Sequence, residues 1–120
     1  MTLTEIIAQT DDVKPNAFSE KAKVQWLNSL EWRIMTEVML MDRCELRPYV
    51  WPECRSYIPL LEAPYDDLYG MWLTAQIDLA NGEYEKYQNS MAVFNAAWGG
   101  FVRWFAARYE PAQGYEEEFQ

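Results

Sequence analysis

The feature that most constrains this chain is a seam of large side chains near its C-terminal end. Tyr84, Tyr87, Met91, Phe94, Trp98, Phe101 and Phe105 recur at alternating intervals of three and four residues. That spacing returns to one side of a helix every two turns, so it predicts a long helix over 83–109 whose heptad stripe faces a partner. A stripe of aromatics needs such a partner, because each ring withdraws a large apolar area from water. The preceding stretch supplies it, with Tyr65, Leu68, Tyr69, Trp72, Ala75 and Leu79 on one helical face and Asn81-Gly82 as a stop. Pro64 suits the first turn of this third helix, and Asp66 and Asp67 suit its positive end. The two helices are expected to form a long antiparallel hairpin. Gly99-Gly100 interrupts the second of them, and we expect a close packing contact there.

Two further helices precede the hairpin. Thr2 followed by Glu5 has the form of a capping box, opening a short first helix over 3–9. Asp11-Asp12 and Lys14-Pro15-Asn16 should break it, since aspartates bond to turn backbone and proline disfavours helical geometry before it. Ser19 is the next cap. From 20 to 41 there is no Gly or Pro, and Val24, Leu27, Leu30, Ile34, Val38 and Met41 mark a buried stripe, with Trp26, Met35 and Met39 widening it. The fold class is therefore all-α, a bundle of about four helices in one domain over 1–110, followed by an acidic tail over 111–120. The second, third and fourth helices form the core, which includes Leu27, Leu30, Ile34, Trp72, Phe94, Trp98 and Phe101.

The residue types exclude most chemistry. The chain has no histidine, which removes Ser-His-Asp and Cys-His arrangements and the commonest transition-metal ligand. Cys44 and Cys54 form neither a CxxC pair nor a zinc set, and both read as reduced packing residues. Asp66-Asp67, Asp78, Glu83 and Glu85 read as solvated helix surface, because helical neighbours point apart. No catalytic residue, cofactor or metal is expected. Nineteen acidic against ten basic residues give a net charge of −9, so sequence-specific nucleic-acid binding is not expected. No apolar run is long enough for a membrane span, and the first nine residues lack signal-peptide features, so the chain reads as cytoplasmic and soluble.

Between the second and third helices, 43–63 holds Pro48, Pro52 and Pro59 among Tyr49, Val50, Trp51, Tyr57 and Ile58. It is expected as an extended proline-rich connection or a small β-hairpin. Half of the six arginines fall in it, as Arg43, Arg47 and Arg55. Arginine beside tyrosine and tryptophan is the combination enriched at protein interfaces, so Arg47, Tyr49, Trp51, Arg55 and Tyr57 are candidate interface residues. The segment is either a docking arm or a lid folded onto its own helices. Arg103, Arg108 and Trp104 offer a smaller patch of similar chemistry.

Several strings carry a resemblance. Asp12-Val13-Lys14-Pro15-Asn16-Ala17-Phe18, Trp26-Leu27-Asn28 and Thr36-Glu37-Val38 resemble a family of small structural proteins of tailed phages and prophages. Ala63-Pro64-Tyr65-Asp66-Asp67-Leu68-Tyr69, Ile77-Asp78-Leu79-Ala80-Asn81-Gly82-Glu83-Tyr84, Asn89-Ser90-Met91 through Phe94-Asn95, and Arg103-Trp104-Phe105-Ala106 are similar to its later helices. The family resembles helical head-tail connector, or adaptor, proteins. The resemblance implies a ring oligomer of this chain at the virion neck, assembled in the host cytoplasm, with portal and tail-completion proteins as partners. An acidic ring would also let DNA pass without adhering. The alternative is a phage-encoded cytoplasmic protein that binds or modulates an assembly factor.

Overall fold

Thr2 opens the first helix as a capping box. Its hydroxyl accepts from Glu5 N at 3.2 Å, and its own N–H donates to the Glu5 carboxylate at 2.8 Å. The computed structural model describes residues 1–42 and 49–109, with the side chain of Tyr109 left aside. The acidic tail over 111–120 lies outside the described residues. The described chain is all-helical, with α1 over Leu3–Val13, α2 over Glu20–Arg33, α3 over Asp67–Ala80 and α4 over Tyr84–Tyr109. No strand occurs among the described residues, so the expected small β-hairpin is not formed there.

α1 runs through Asp11-Asp12 instead of stopping before them. The reason is that Asp11 does not bond to turn backbone. Its carboxylate instead takes Lys23 Nζ at 2.8 and 3.0 Å and Asn16 Nδ2 at 2.9 Å. The helix ends at Lys14, ahead of Pro15. Ser19 caps α2 as expected, accepting from Ala22 N at 3.1 Å. α2 is regular only to Arg33 and then widens into a π turn over Ile34–Val38, where Met39 N reaches back to Ile34 O. The chain leaves that turn through Leu40 at φ 55°, a left-handed conformation that stops the helix.

α3 begins at Asp67, later than Pro64 suggested. Residues 63–66 form a turn in which Tyr65 N donates to Glu62 O, and Tyr65 is placed there against Phe101 and Trp104 of α4, with ring centroids 5.5 and 4.8 Å away. Gly82, at φ +76°, closes the loop to α4 as the Asn-Gly stop required.

The core is built around α3. Its sides meet α1, α2 and α4, so Leu68, Tyr69, Leu73, Ala75, Ile77 and even Asp78 are buried. Leu73 and Ile77 extend the expected face, while Leu79 falls in the remaining open strip and is 39% exposed. α1 belongs to the core as well, through Leu3, Ile6 and Ile7. On α4, Phe94 and Phe101 are fully buried, and Trp72 stacks obliquely on Phe94 at 5.2 Å. Trp72 and Trp98 are half-buried, covering this centre from its edge. Tyr84, the first residue of the seam, is exposed because α3 has already ended at Ala80. The close packing expected at Gly99-Gly100 is not found among the described residues. A side-chain carbon at either position would meet only the Arg103 guanidinium, at 3.4 and 3.9 Å.

Phe94 sits where α3 and α4 close on each other, with no exposed surface. Phe94→Ala should lower the unfolding free energy by about 3–5 kcal/mol in denaturant titrations, because the cavity cannot collapse between two paired helices.

Candidate functional site

The described part of the connection, 49–63, is laid onto its own helices. Leu3 N donates to Tyr57 O at 3.0 Å, and Thr4 Oγ1 donates to Arg55 O at 2.9 Å. Tyr49 N donates to Asn28 Oδ1 on α2 at 3.0 Å. A 3-10 turn over Glu53–Ser56 carries Cys54 into the core, and Leu61 is buried beside it.

Beneath the segment lies a carboxylate that the sequence reading missed. Glu31 is fully buried. Its Oε2 accepts from Leu60 N at 2.8 Å, and its Oε1 accepts from the Tyr69 hydroxyl at 2.5 Å. That hydroxyl also accepts from Leu61 N at 3.1 Å. One carboxylate on α2 and one phenol on α3 thus satisfy two successive amides of the connection and tie three parts of the chain together. The Tyr49 hydroxyl is buried close to the same carboxylate, yet it is not aligned for a hydrogen bond. Burial pushes the Glu31 carboxyl above its ordinary value, opposed by the hydrogen bonds from Tyr69 and Leu60. Burial, with the neighbouring carboxylate second, also raises the Tyr49 and Tyr69 phenols, so both stay protonated and Tyr69 remains the donor to Glu31. The signal was present in the sequence, since Glu31 falls four residues after Leu27 and three before Ile34, inside the apolar stripe.

The candidate interface residues separate into two pairs. Tyr49 and Tyr57 lie ring to ring at 5.1 Å, the first facing inward and the second 38% exposed. Arg55 stands 6.0 Å from the centre of the half-buried Trp51 ring and 3.5 Å from Glu20 on α2. Arg47 lies outside the described residues, as do Arg43 and Cys44. Unforeseen from the sequence, the outer surface of this segment exposes Val50, Ile58 and Leu60 at 61%, 65% and 40%. In the second patch, Arg108 lies 5.1 Å over the Trp104 ring.

Asp78 is a correction to the sequence reading, which placed it in solvent. It is 1% exposed, paired with Lys14 Nζ at 2.7 Å and accepting from Ser90 Oγ at 2.7 Å. The lysine approaches Oδ1 out of hydrogen-bond alignment, and at this distance its charge still compensates the carboxylate. Lys23 is only 3% exposed and forms an ion pair with Asp11. Among the described residues no group of three or more acidic or cysteine side chains is placed to hold a metal. The Cys54 thiol is pushed up by burial, the reverse of what a nucleophile needs.

Two measurements follow. The folded-state carboxyl of Glu31 titrates above its unfolded value of about 4.5. Its contribution is therefore fully present below that pH and is lost as pH rises through the raised folded value. Relative to Glu31→Gln, which has no proton to lose there, the wild type should lose stability as pH is raised above the ordinary carboxyl value in paired denaturant titrations. The opposite slope would refute the burial argument. Lys14→Ala should cost about 2–4 kcal/mol, far above an ordinary surface change, because it leaves Asp78 buried without its cation. Comparison with known proteins adds nothing to this geometry: no family model, curated protein or solved structure matches the chain.

Proposed function

We propose that the chain is a structural subunit of a tailed-phage neck, a head-tail adaptor that forms a ring and joins the portal to tail-completion proteins. The observation that carries a binding role is the outer surface of the connection. Val50, Ile58, Leu60 and Tyr57 are exposed on a segment whose backbone is tied to α1, α2 and α3. Apolar side chains on such a fixed backbone lose little entropy when covered, which suits protein docking rather than turnover. Arg55 and Trp51 border the same segment with the chemistry of an interface rim. The phage assignment rests on the resemblance carried by 12–18, 26–28, 36–38 and the α3 and α4 strings. Within those strings, Lys14 with Asp78, Asp78 with Ser90, and Asn28 with the Tyr49 amide join separate elements of the chain.

Val50→Asp combined with Ile58→Asp tests the reading. Both side chains are exposed, so the unfolding free energy should change by less than about 0.5 kcal/mol per site. Particles assembled with the double variant should accumulate as filled heads without tails, counted by electron microscopy. Normally tailed particles would overturn the adaptor role of this surface.

A further inference from the structure

α4 carries a second heptad seam on the side turned away from the core. Glu85, Asn89, Ala92, Ala96, Gly99 and Arg103 follow intervals of four, three, four, three and four residues. The first four and Arg103 are exposed, and Gly99 is half-exposed. Between Lys86 and Arg103 the sequence has no charged residue, although a quarter of the chain is charged. A solvated helix face normally carries its charges there. Val93, on the flank of this face, is 57% exposed and borders an apolar groove of about 450 Å³ between α1 and α4, walled also by Ile6, Val13 and Met71. Two glycines weaken a helix, and among the described residues only the Arg103 side chain comes within 4 Å of the space a side-chain carbon at Gly99 or Gly100 would take.

We infer that this face docks on a second copy of the same chain, the two α4 helices crossing antiparallel about a two-fold axis. The charges at its ends identify the occupant. Glu85 and Arg103 are 18 residues apart, which is five turns and about 27 Å on one line of the helix. Neither makes an ion pair among the described residues. When the two helices run in opposite directions, Glu85 of each copy faces Arg103 of the second. Ala92 then faces Ala96, and Asn89 faces Gly99. Every pairing is reciprocal, as an isologous contact requires. Alanine and glycine at the crossing allow the axes to approach near the lower end of the usual 8–10 Å range, and the Val93 flanks join the two grooves along one edge. An isologous pair closes on itself and cannot propagate around a ring, so this contact belongs to the free protein and stands independently of the adaptor reading.

Charge reversal in the full chain tests it, with sedimentation velocity as the readout and circular dichroism as the control for folding. The wild type should show a monomer–dimer equilibrium. Glu85→Arg alone and Arg103→Glu alone each turn two attractive contacts into two repulsive ones and should weaken the dimer about tenfold. The two substitutions together in one chain restore both contacts with their signs exchanged and should return the dimer to near wild-type strength. A wild type that stays monomeric at every accessible concentration overturns the inference. Single variants that dimerise normally, or a folded double variant that fails to recover, also overturn it.

Discussion

The position of the proline-rich connection depends on one buried carboxylate. A leucine in place of Glu31 would fill the same space between α2 and α3, but it would leave the Leu60 amide and the Tyr69 hydroxyl without a partner. Each unsatisfied buried group costs about 1–3 kcal/mol, so the charged residue is tolerated because it answers several donors at once. The arrangement also sets register. Two adjacent amides, Leu60 and Leu61, are read by two different oxygens from two different helices, and sliding the segment by one residue would break both bonds. In the described part of the connection, the 3-10 turn satisfies some amides internally, and the core supplies partners for Tyr49, Leu60 and Leu61 that a strand ladder would have provided.

The same principle extends along α3. This helix is nearly surrounded, and a surrounded helix places some polar residue against its neighbours unless it is wholly apolar. Asp78 takes that role by joining Lys14 at the end of α1 to Ser90 on α4. Trp72 adds a bond from its indole N–H to the Trp26 carbonyl on α2 at 2.8 Å, and Arg33 lies 4.5 Å over Trp98. Hydrophobic burial drives the helices together without direction. These polar contacts select which faces meet.

Periodicity made the helices legible and left the joints unread. The aromatic seam located α4, and its partner face located α3, because large apolar side chains at helical spacing have few other uses. Leu27, Leu30, Ile34, Phe94 and Phe101 are buried as that pattern requires. The errors share a cause. α1 outran its expected end because Asp11 found Lys23 twelve residues away, and a local rule cannot see a distant ammonium. Asp78 was placed in solvent for the same reason. The π turn at the end of α2 left no mark in the apolar spacing, which continues to Met41. In the connection, the prolines correctly excluded a regular helix. The exposed Val50 and Ile58 were legible as residues but not as surface, since exposure depends on which side of the segment meets Glu31.

The strings that carry the phage resemblance gain a physical meaning from this arrangement. Lys14 reaches Asp78, Asn16 holds both Asp11 and the Phe18 amide, Phe18 lies edge-on to Trp26 at 5.5 Å, and Asn28 accepts from Tyr49 N. Lys14 and Asn28 join elements that are distant in sequence, while Asn16 and Phe18 fix the turn from α1 into α2, so a chain sharing them would share helix placement whatever its outer side chains bind. That separates two questions which a sequence likeness merges. The joints specify how α1 to α4 and the connection are assembled. What the assembled protein recognises is a separate matter, and the surfaces left exposed beside those joints are the apolar side chains of the connection and the outer face of α4. Both are surfaces that the packing of the core leaves open, and in the connection the backbone groups of Tyr57 and Leu60 enter the joints while their side chains stay exposed.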